Sequence, residues 1–458
     1  MRSLPFLPGE YRAMIGLGLL YAFRMLGLFM VLPVLSLYTR DLPGATPFLV
    51  GVALGGYGLT QAVLQIPFGM LSDRIGRKEV IAAGLCLFLL GSIIAALSSS
   101  IYGIIIGRCL QGSGAIAGAL MALLADRTRE EVRTSAMAAI GMSIGVSFAL
   151  AMAIGPLLAE YFGLSGIFWS TSLLAVAGLV ILWRLVPAAP ARRQHRDVGV
   201  DPRQLIAMLR RPDLLRLDFS ILCLHALLTA AFVALPLELE ALGIAPRYHG
   251  WVYLPIMALG FIAMLPLIIA AEKYRRMRPI FLSTVAIMAL SLLGLGVFED
   301  SRWSVLALLF VFFTGFNLME ATLPSMISKI APVGAKGSAM GIYSTSQFLG
   351  ACLGGAGGGA IVGVAGIDAL FQFSALLALV WFLSVLGMQP PRHLSSEIIA
   401  LDETLDARDK QLSNRLAAIA GVEEVMVVAQ ERIAYLKVDR DKLDREALAH
   451  LSRRQQEP

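Results

Sequence analysis

The chain has 458 residues, of which 57% are hydrophobic and only 15% charged, with a formal net charge of +6. An average soluble domain carries about 25% charge, so a water-soluble globule is excluded for the chain as a whole. The basic residues sit at the ends of apolar stretches and in one linker, which argues for membrane orientation and anionic lipid rather than a nucleic-acid partner.

A run of about 20 apolar residues matches the hydrocarbon thickness of a bilayer, and inside lipid a helix satisfies its own backbone hydrogen bonds. The first six predicted spans cover 12–38, 48–71, 79–98, 101–125, 135–160 and 165–186. A second six cover 216–239, 249–271, 279–298, 303–328, 337–362 and 366–388. The expected organisation is a first bundle at 1–186, a linker at 187–215, a second bundle at 216–388 and a tail at 389–458. The first span is too long for a signal-peptide core and no A-x-A site follows it, so no cleaved signal is expected.

One set of loops carries Arg74, Arg77, Lys78, Arg127, Arg129, Arg133, Lys273, Arg275, Arg276, Arg278, Lys329 and Lys336, and the linker adds Arg192, Arg193, Arg196, Arg203, Arg210 and Arg211. The opposite loops hold only Arg40, Arg247 and Arg302. The positive-inside rule therefore places both termini, the linker and the tail in the cytoplasm, in a multi-pass protein of the cell (inner) membrane.

In chain order, the first span holds Arg24 at mid-depth, a proton-coupling candidate read either as a cavity residue or as a packing ion pair. The second holds Tyr57, Gln61 and Gln65; the two glutamines are four apart and share a face, as cavity-lining or interhelical hydrogen-bonding groups would. The loop that follows reads Gly69-Met-Leu71-Ser-Asp73-Arg74-Ile-Gly76-Arg77-Lys78. Gly69 permits close helix approach, Gly76 a tight turn, and Asp73 can accept charge-assisted hydrogen bonds. This run resembles the signature loop of the major facilitator superfamily, G-x-L-x-D-R-x-G-R-[KR], and matches every defining position. The resemblance implies two pseudo-symmetric six-helix bundles. It also implies a conformational switch of Gly69, Asp73, Arg74, Gly76, Arg77 and Asp126, in which Asp73 meets the start of the eleventh span near Gly337 and Ser338 in the outward-facing state.

The fourth span contains Gly107-Arg108-Cys-Leu-Gln111-Gly112. A guanidinium at membrane depth costs at least ~2.5–3.5 kcal/mol on insertion scales and needs a wet cavity or a partner. The pattern is similar to the R-x-x-Q-G motif of proton-coupled members of the superfamily, so Arg108 and Gln111 are expected to assist proton binding; a structural arginine bonded to carbonyls is the alternative. The fifth span, Gly141 to Gly155-Pro156, partly resembles the superfamily's antiporter motif, with Ala151 and Ala159 in place of glycines; Gly155 and Pro156 are expected to supply a kink and a close helix contact.

His225 on the seventh span, Asn317 on the tenth and Gln347 on the eleventh join the cavity candidates. Glu320, within Asn317-Leu-Met-Glu320 of the tenth span, reads as the one carboxylate well inside an apolar span. It is the candidate proton carrier, or else a buried salt-bridge partner. Glu160, Glu238 and Glu240 lie near outer ends, where solvation is expected, and Cys86, Cys109, Cys223 and Cys352 read as core thiols without metal spacing.

The halves repeat. Phe29-Met-Val-Leu-Pro33 recurs as Phe232-Val-Ala-Leu-Pro236, Ser135-Ala-Met137 as Ser338-Ala-Met340, and Gly155-Pro156 answers to Gly358-Gly359, all at one spacing. Such duplication places a binding site between the bundles. After Pro390-Pro391 a β-α-β-β-α order is predicted: a strand at 396–401, a helix at 409–420, a hairpin at 422–429 and 433–438, and a helix at 443–451. That order is a small ferredoxin-like module. It resembles heavy-metal-associated domains but lacks their C-x-x-C, so no metal is expected. With this tail the chain is similar to the YajR-type subgroup of the superfamily.

The expected function is secondary active transport by alternating access, as proton-coupled efflux of a small, apolar-leaning molecule. Alternatives are proton-coupled uptake of a nutrient, or a non-transporting membrane sensor signalling through the tail. No Walker-type loop occurs, no catalytic constellation points to an enzyme, and no cofactor is expected. The partners are a small-molecule substrate, protons and the lipid bilayer; oligomeric state is not legible.

Overall fold

The computed structural model describes residues 6–187, 202–298, 301–332, 335–389, 395–401, 410–428, 433–439 and 442–449. Arg192, Arg193, Arg196, Pro390 and Pro391 lie outside them. Ten of the described helices are long and apolar enough to cross a membrane, and two of these, Ser135–Arg184 and Lys336–Val385, run for 50 residues each. At 1.5 Å per residue such a helix is about 75 Å long, more than twice a bilayer's hydrocarbon core. Each is broken once by a glycine in left-handed backbone, Gly163 (φ 64°) and Gly366 (φ 89°). A side chain is strained at such φ values, so each long helix is a pair of spans turning on one residue, and ten become twelve crossings.

Two expected spans are interrupted. The first is a helix at Pro8–Phe29 followed by a short helix at Leu35–Thr39. Pro33 lies in the gap, where it has no N–H to donate and its ring opposes continuation. The fourth divides into Ile101–Ser113 and Ala117–Arg127. There Gly114 sits so close to Gly84 that an added Cβ would lie 2.3 Å from the Gly84 carbonyl oxygen. The remaining spans are Pro47–Ile75, Arg77–Leu97, Pro212–Ala241, His249–Lys273, Met277–Leu295 and Arg302–Ile330.

The two lobes meet along spans two and eleven. A Cβ on Gly51 would fall 2.1 Å from the Gly355 carbonyl oxygen, and one on Gly355 would fall 2.5 Å from that of Gly51. Gly55 faces Cys352, Gly58 faces the Phe348 carbonyl and Gly359 faces Pro47. Small residues at this spacing let helix backbones touch, the main source of attraction between helices in lipid. Gly250 of span eight packs on the Ala153 backbone of span five in the same manner, and Arg40 pairs with Glu240 at 2.6 Å. These contacts gather between mid-depth and the loop end that carries Arg40, so the lobes are closed at that end, opposite the basic loops.

Some sequence expectations need correction. Cys223 is buried, but Cys86 is exposed on the bundle surface and Cys109 and Cys352 are intermediate; small thiols can face lipid as readily as core. Glu238 is buried at 7% exposure, because span seven is a central helix packed on several sides. Glu240 is engaged by Arg40 rather than simply solvated.

The tail contains β1 (Ser395–Ala400), β2 (Val422–Val428) and β3 (Ile433–Val438). The sheet order is β1-β3-β2 with β3 antiparallel to both neighbours, the split β-α-β arrangement of a ferredoxin-like module. Helices at Lys410–Ala417 and Arg445–Ala449 accompany it, and Leu412, Leu416, Leu436, Val438 and Leu448 fill its core. Lys437, 3% exposed, donates to the carbonyls of Lys329 (2.9 Å) and Ile330 (3.4 Å), where span ten ends. It thereby satisfies two of the carbonyls that a helix C-terminus leaves without partners.

Candidate functional site

At the break in span four the Gly114 carbonyl accepts from the Ile116 N–H (2.9 Å) and, in addition, from Arg24. Arg24 is 2% exposed, and its Nη2 donates to Gly114 O (2.9 Å), Gln61 Oε1 (2.7 Å) and Tyr57 Oη (2.9 Å). Gln61 passes the chain on to Gln65 through a 2.9 Å hydrogen bond. Nε and Nη1 of Arg24 have no partner among the described residues, so half of this guanidinium fork stays open. Arg108, 1% exposed, donates to Ala53 O (3.3 Å) and Gln111 Oε1 (2.9 Å), and Gln111 donates to Ser92 Oγ (2.8 Å). The Tyr57 ring stacks 5.2 Å from the Arg108 guanidinium carbon. One tyrosine thus receives a hydrogen bond from one buried arginine and offers its π face to the other. The first-lobe candidates Arg24, Tyr57, Gln61, Gln65, Arg108 and Gln111 form two adjoining networks built around neutral acceptors.

In the second lobe Gln347 Nε2 lies 3.2 Å from Glu320 Oε1 and 2.9 Å from His225 Nε2, and His225 Nε2 lies 3.8 Å from Glu320 Oε2. Spans seven, ten and eleven each contribute one member. Glu320 Oε2 and His225 Nδ1 are buried and have no hydrogen-bond partner among the described residues, so this cluster has open polar valence for a proton, water or cargo. Asn317 stands apart, with its amide beside Gly260 of span eight. The rings of Phe29 and Phe148 (4.8 Å), Phe148 and Phe316 (6.1 Å), and Phe316 and His225 (5.9 Å) form a string from one lobe to the other.

At the basic end, Arg77 pairs with Asp73 (2.5 Å) and Asp126 (3.3 Å) and donates to Ser72 Oγ (2.7 Å). Gly76, at φ 123°, forms the turn between spans two and three, whereas Gly69, expected to let a neighbouring helix approach, instead has open space where a Cβ would be, because no helix packs on that face here. Gly155 meets the Met30 carbonyl, which a Cβ would approach to 2.4 Å; Pro156 follows it inside the helix, while the reversal to span six occurs at Gly163. The structure thus assembles Asp73, Arg77 and Asp126, and Glu320, His225 and Gln347.

Three participants escaped sequence reasoning. Glu10 accepts from Arg129 Nε (2.9 Å) and Nη2 (3.1 Å) and from the Leu7 N–H (2.8 Å), tying the start of span one to the loop after span four. Ser72 supports Arg77. Asp218, 7% exposed in span seven, has an Oδ1 without a partner among the described residues. Its signal was one acidic residue beyond the charged first turn of an otherwise apolar helix.

Residues 17–355 and 217–419 match the model of the Major Facilitator Superfamily, and residues 399–452 match that of the YajR YAM domain. The chain is 46% identical to the inner membrane transport protein YajR of Escherichia coli K12, over 96% of both chains. It is 27% identical to the multidrug resistance protein MdtH of Aeromonas salmonicida over 74% of this chain and 84% of that one. The crystal structure of a bacterial homologue of the human lysosomal transporter Spinster, inward-facing and occupied, superposes with a TM-score of 0.68 at 12% identity, covering 83% of this chain and 97% of that one.

Proposed function

The chain belongs to the Major Facilitator Superfamily, as a multi-pass secondary transporter with a YajR YAM domain after its last span, and from that premise we propose that it exports a small molecule in exchange for protons. The observation that carries this reading is the Glu320–His225–Gln347 cluster. It holds a carboxyl oxygen with no donor in the middle of a lobe, on three helices that can move against the other lobe. As an acid, Glu320 carries a hydroxyl that can donate to His225 or water; as an anion it seeks the positive ends of the same groups. The two states bind their surroundings differently, which is what a ligand must do to shift a conformational equilibrium.

The Arg24 and Arg108 networks, facing this cluster from the first lobe, supply fixed positive charge, and the phenylalanine string suits an apolar cargo. Asp73, Arg77 and Asp126 serve as the switch at the basic end, which the loop charges orient toward the cytoplasm. The close contacts between the lobes at the opposite end support reading this conformation as the one that faces the basic side. The name of the MdtH relative supports export over uptake.

Proteoliposomes with a pH gradient test the proposal, using a panel of lipophilic cations and dyes as cargo. Expected is cargo movement against the proton flow, abolished by dissipating the gradient. Movement in the same direction as protons would mean uptake. A full panel with no proton-dependent flux would overturn the proposed export of lipophilic cargo.

A further inference from the structure

At the basic end of the first lobe a cavity of about 610 Å³ is lined by Arg12, Lys78, Glu79, Trp183, Arg184 and Val186 with Pro187. We infer that it binds the phosphate headgroup of an anionic phospholipid.

The two lobes offer an internal comparison. Lys78, the second residue of the span-three helix, donates to the carbonyl of Val186 at the end of span six (2.6 Å). Arg278, the second residue of Met277–Leu295, donates to the carbonyl of Leu386 at the end of span twelve (2.8 Å). The same clasp thus closes the corresponding corner of each lobe. In the second lobe the neighbouring cation is also used up: Arg216, fifth residue of its helix, contacts Asp213 (3.2 Å) and the Gly387 carbonyl (3.3 Å). Arg12, fifth residue of Pro8–Phe29, makes no hydrogen bond or ion pair with any described residue, and neither does Arg184.

Among the described residues the first lobe therefore keeps two guanidinium groups without a partner beside a lysine that is itself 8% exposed, with Glu79 the one carboxylate in the cavity lining. A guanidinium presents paired donors in a fork that matches phosphate oxygens. Lys78 also lies 5.5 Å from the Trp183 ring centroid. A tryptophan at a helix end is the side chain found at headgroup depth, and basic pockets between helices at this level suit phosphate-bearing lipid heads. The corner is formed by the cytoplasmic-side ends of spans one, three and six, with Cys86 and Leu90 of span three exposed above it, so acyl chains have an apolar wall to follow.

The test compares the full chain with the Arg12→Gln/Arg184→Gln double variant and with a Lys273→Gln/Arg276→Gln control that removes two charges elsewhere on the same face. Each is purified from membranes, its retained phospholipid is read by native mass spectrometry, and its melting temperature is followed on adding phosphatidylglycerol, phosphatidylcholine or inorganic phosphate. Expected for the full chain and the control are retained anionic phospholipid and a rise in melting temperature with phosphatidylglycerol alone. The double variant should keep its basal melting temperature and lose both signals. Equal retention in the double variant, an equal response to phosphatidylcholine, or a full response to inorganic phosphate would each overturn the assignment.

Discussion

Arg24 and Arg108 share Tyr57 between them, yet their obligations differ. Arg24 serves three acceptors from one nitrogen while Nε and Nη1 stay open. Arg24→Met should leave the Gln61 and Tyr57 oxygens short of a donor, at about 1–3 kcal/mol for a buried group left unsatisfied, while Gly114 O keeps the Ile116 N–H; the melting temperature should fall and flux should be lost, and an unchanged melting temperature would show that the network carries no packing energy. Asp73→Asn should behave differently. The side chains of Asp73, Arg77 and Asp126 are 29%, 14% and 15% exposed, so the fold should lose no more than about 1 kcal/mol. A similar sum spent on one facing, about 1.4 kcal/mol, changes its population tenfold, so transport should collapse while membrane insertion and melting stay near normal. Glu320→Gln fixes a neutral side chain of the same shape; its flux should become independent of the pH gradient, and a retained gradient response would remove Glu320 from the coupling. Arg24 and Glu320 stood out in the sequence because a charge inside an apolar run has a cost. Their partners were not legible: nothing in Gln347 or His225 alone distinguishes a neighbour of Glu320 from any other polar residue facing inward. Asp218 is hard to single out in the sequence because Asp213 and Arg216 stand close by, at the charged start of the same helix.

In the proposed cycle the span two–eleven seam sets how tightly the end opposite the basic loops, the outer end by loop charge, can close. Gly51, Gly55 and Gly58 oppose Cys352, Gly355 and Gly359 with backbone against backbone. Gly355→Val would drive branched carbons into the Gly51 carbonyl, so the outer ends should separate even without cargo. Spin labels on the outer ends of these spans should report longer distances than in the unaltered chain; identical distances would show that the seam yields elsewhere. Most elements were readable from apolar length, since a helix in lipid needs little else. The breaks near Pro33 and Gly114 were not, because the apolar run continues across both: Met30, Val31, Leu32 and Val34 in one, Ala115 and Ile116 in the other. Composition registers that a residue can live in lipid, but not whether its carbonyl points along the helix or at a guanidinium.

For the molecule as a whole, the tail is fastened to the helix that holds Glu320. Lys437 seals the last carbonyls of span ten while Lys329 grips Glu272 of span eight at 2.7 Å. Burial pushes the Lys437 pKa down and Glu424 opposes that shift, with Lys336 and Arg211 adding repulsion. Lys437→Met should release the tail: amide exchange should quicken in β3 and around Ile330 with the twelve spans still folded. Unchanged exchange at both places would mean that the sheet is held by other contacts.

Gly163 and Gly366 each join two crossings with no intervening loop. Spans five and six, like eleven and twelve, are hairpins whose two arms meet at a single glycine at the end opposite the basic loops. Tilting the inner arm of either must swing its outer arm through the surrounding lipid. In the proposed cycle the work of changing facing is shared with the bilayer, and stiffer or thicker membranes should slow it even when every polar contact in the centre is intact.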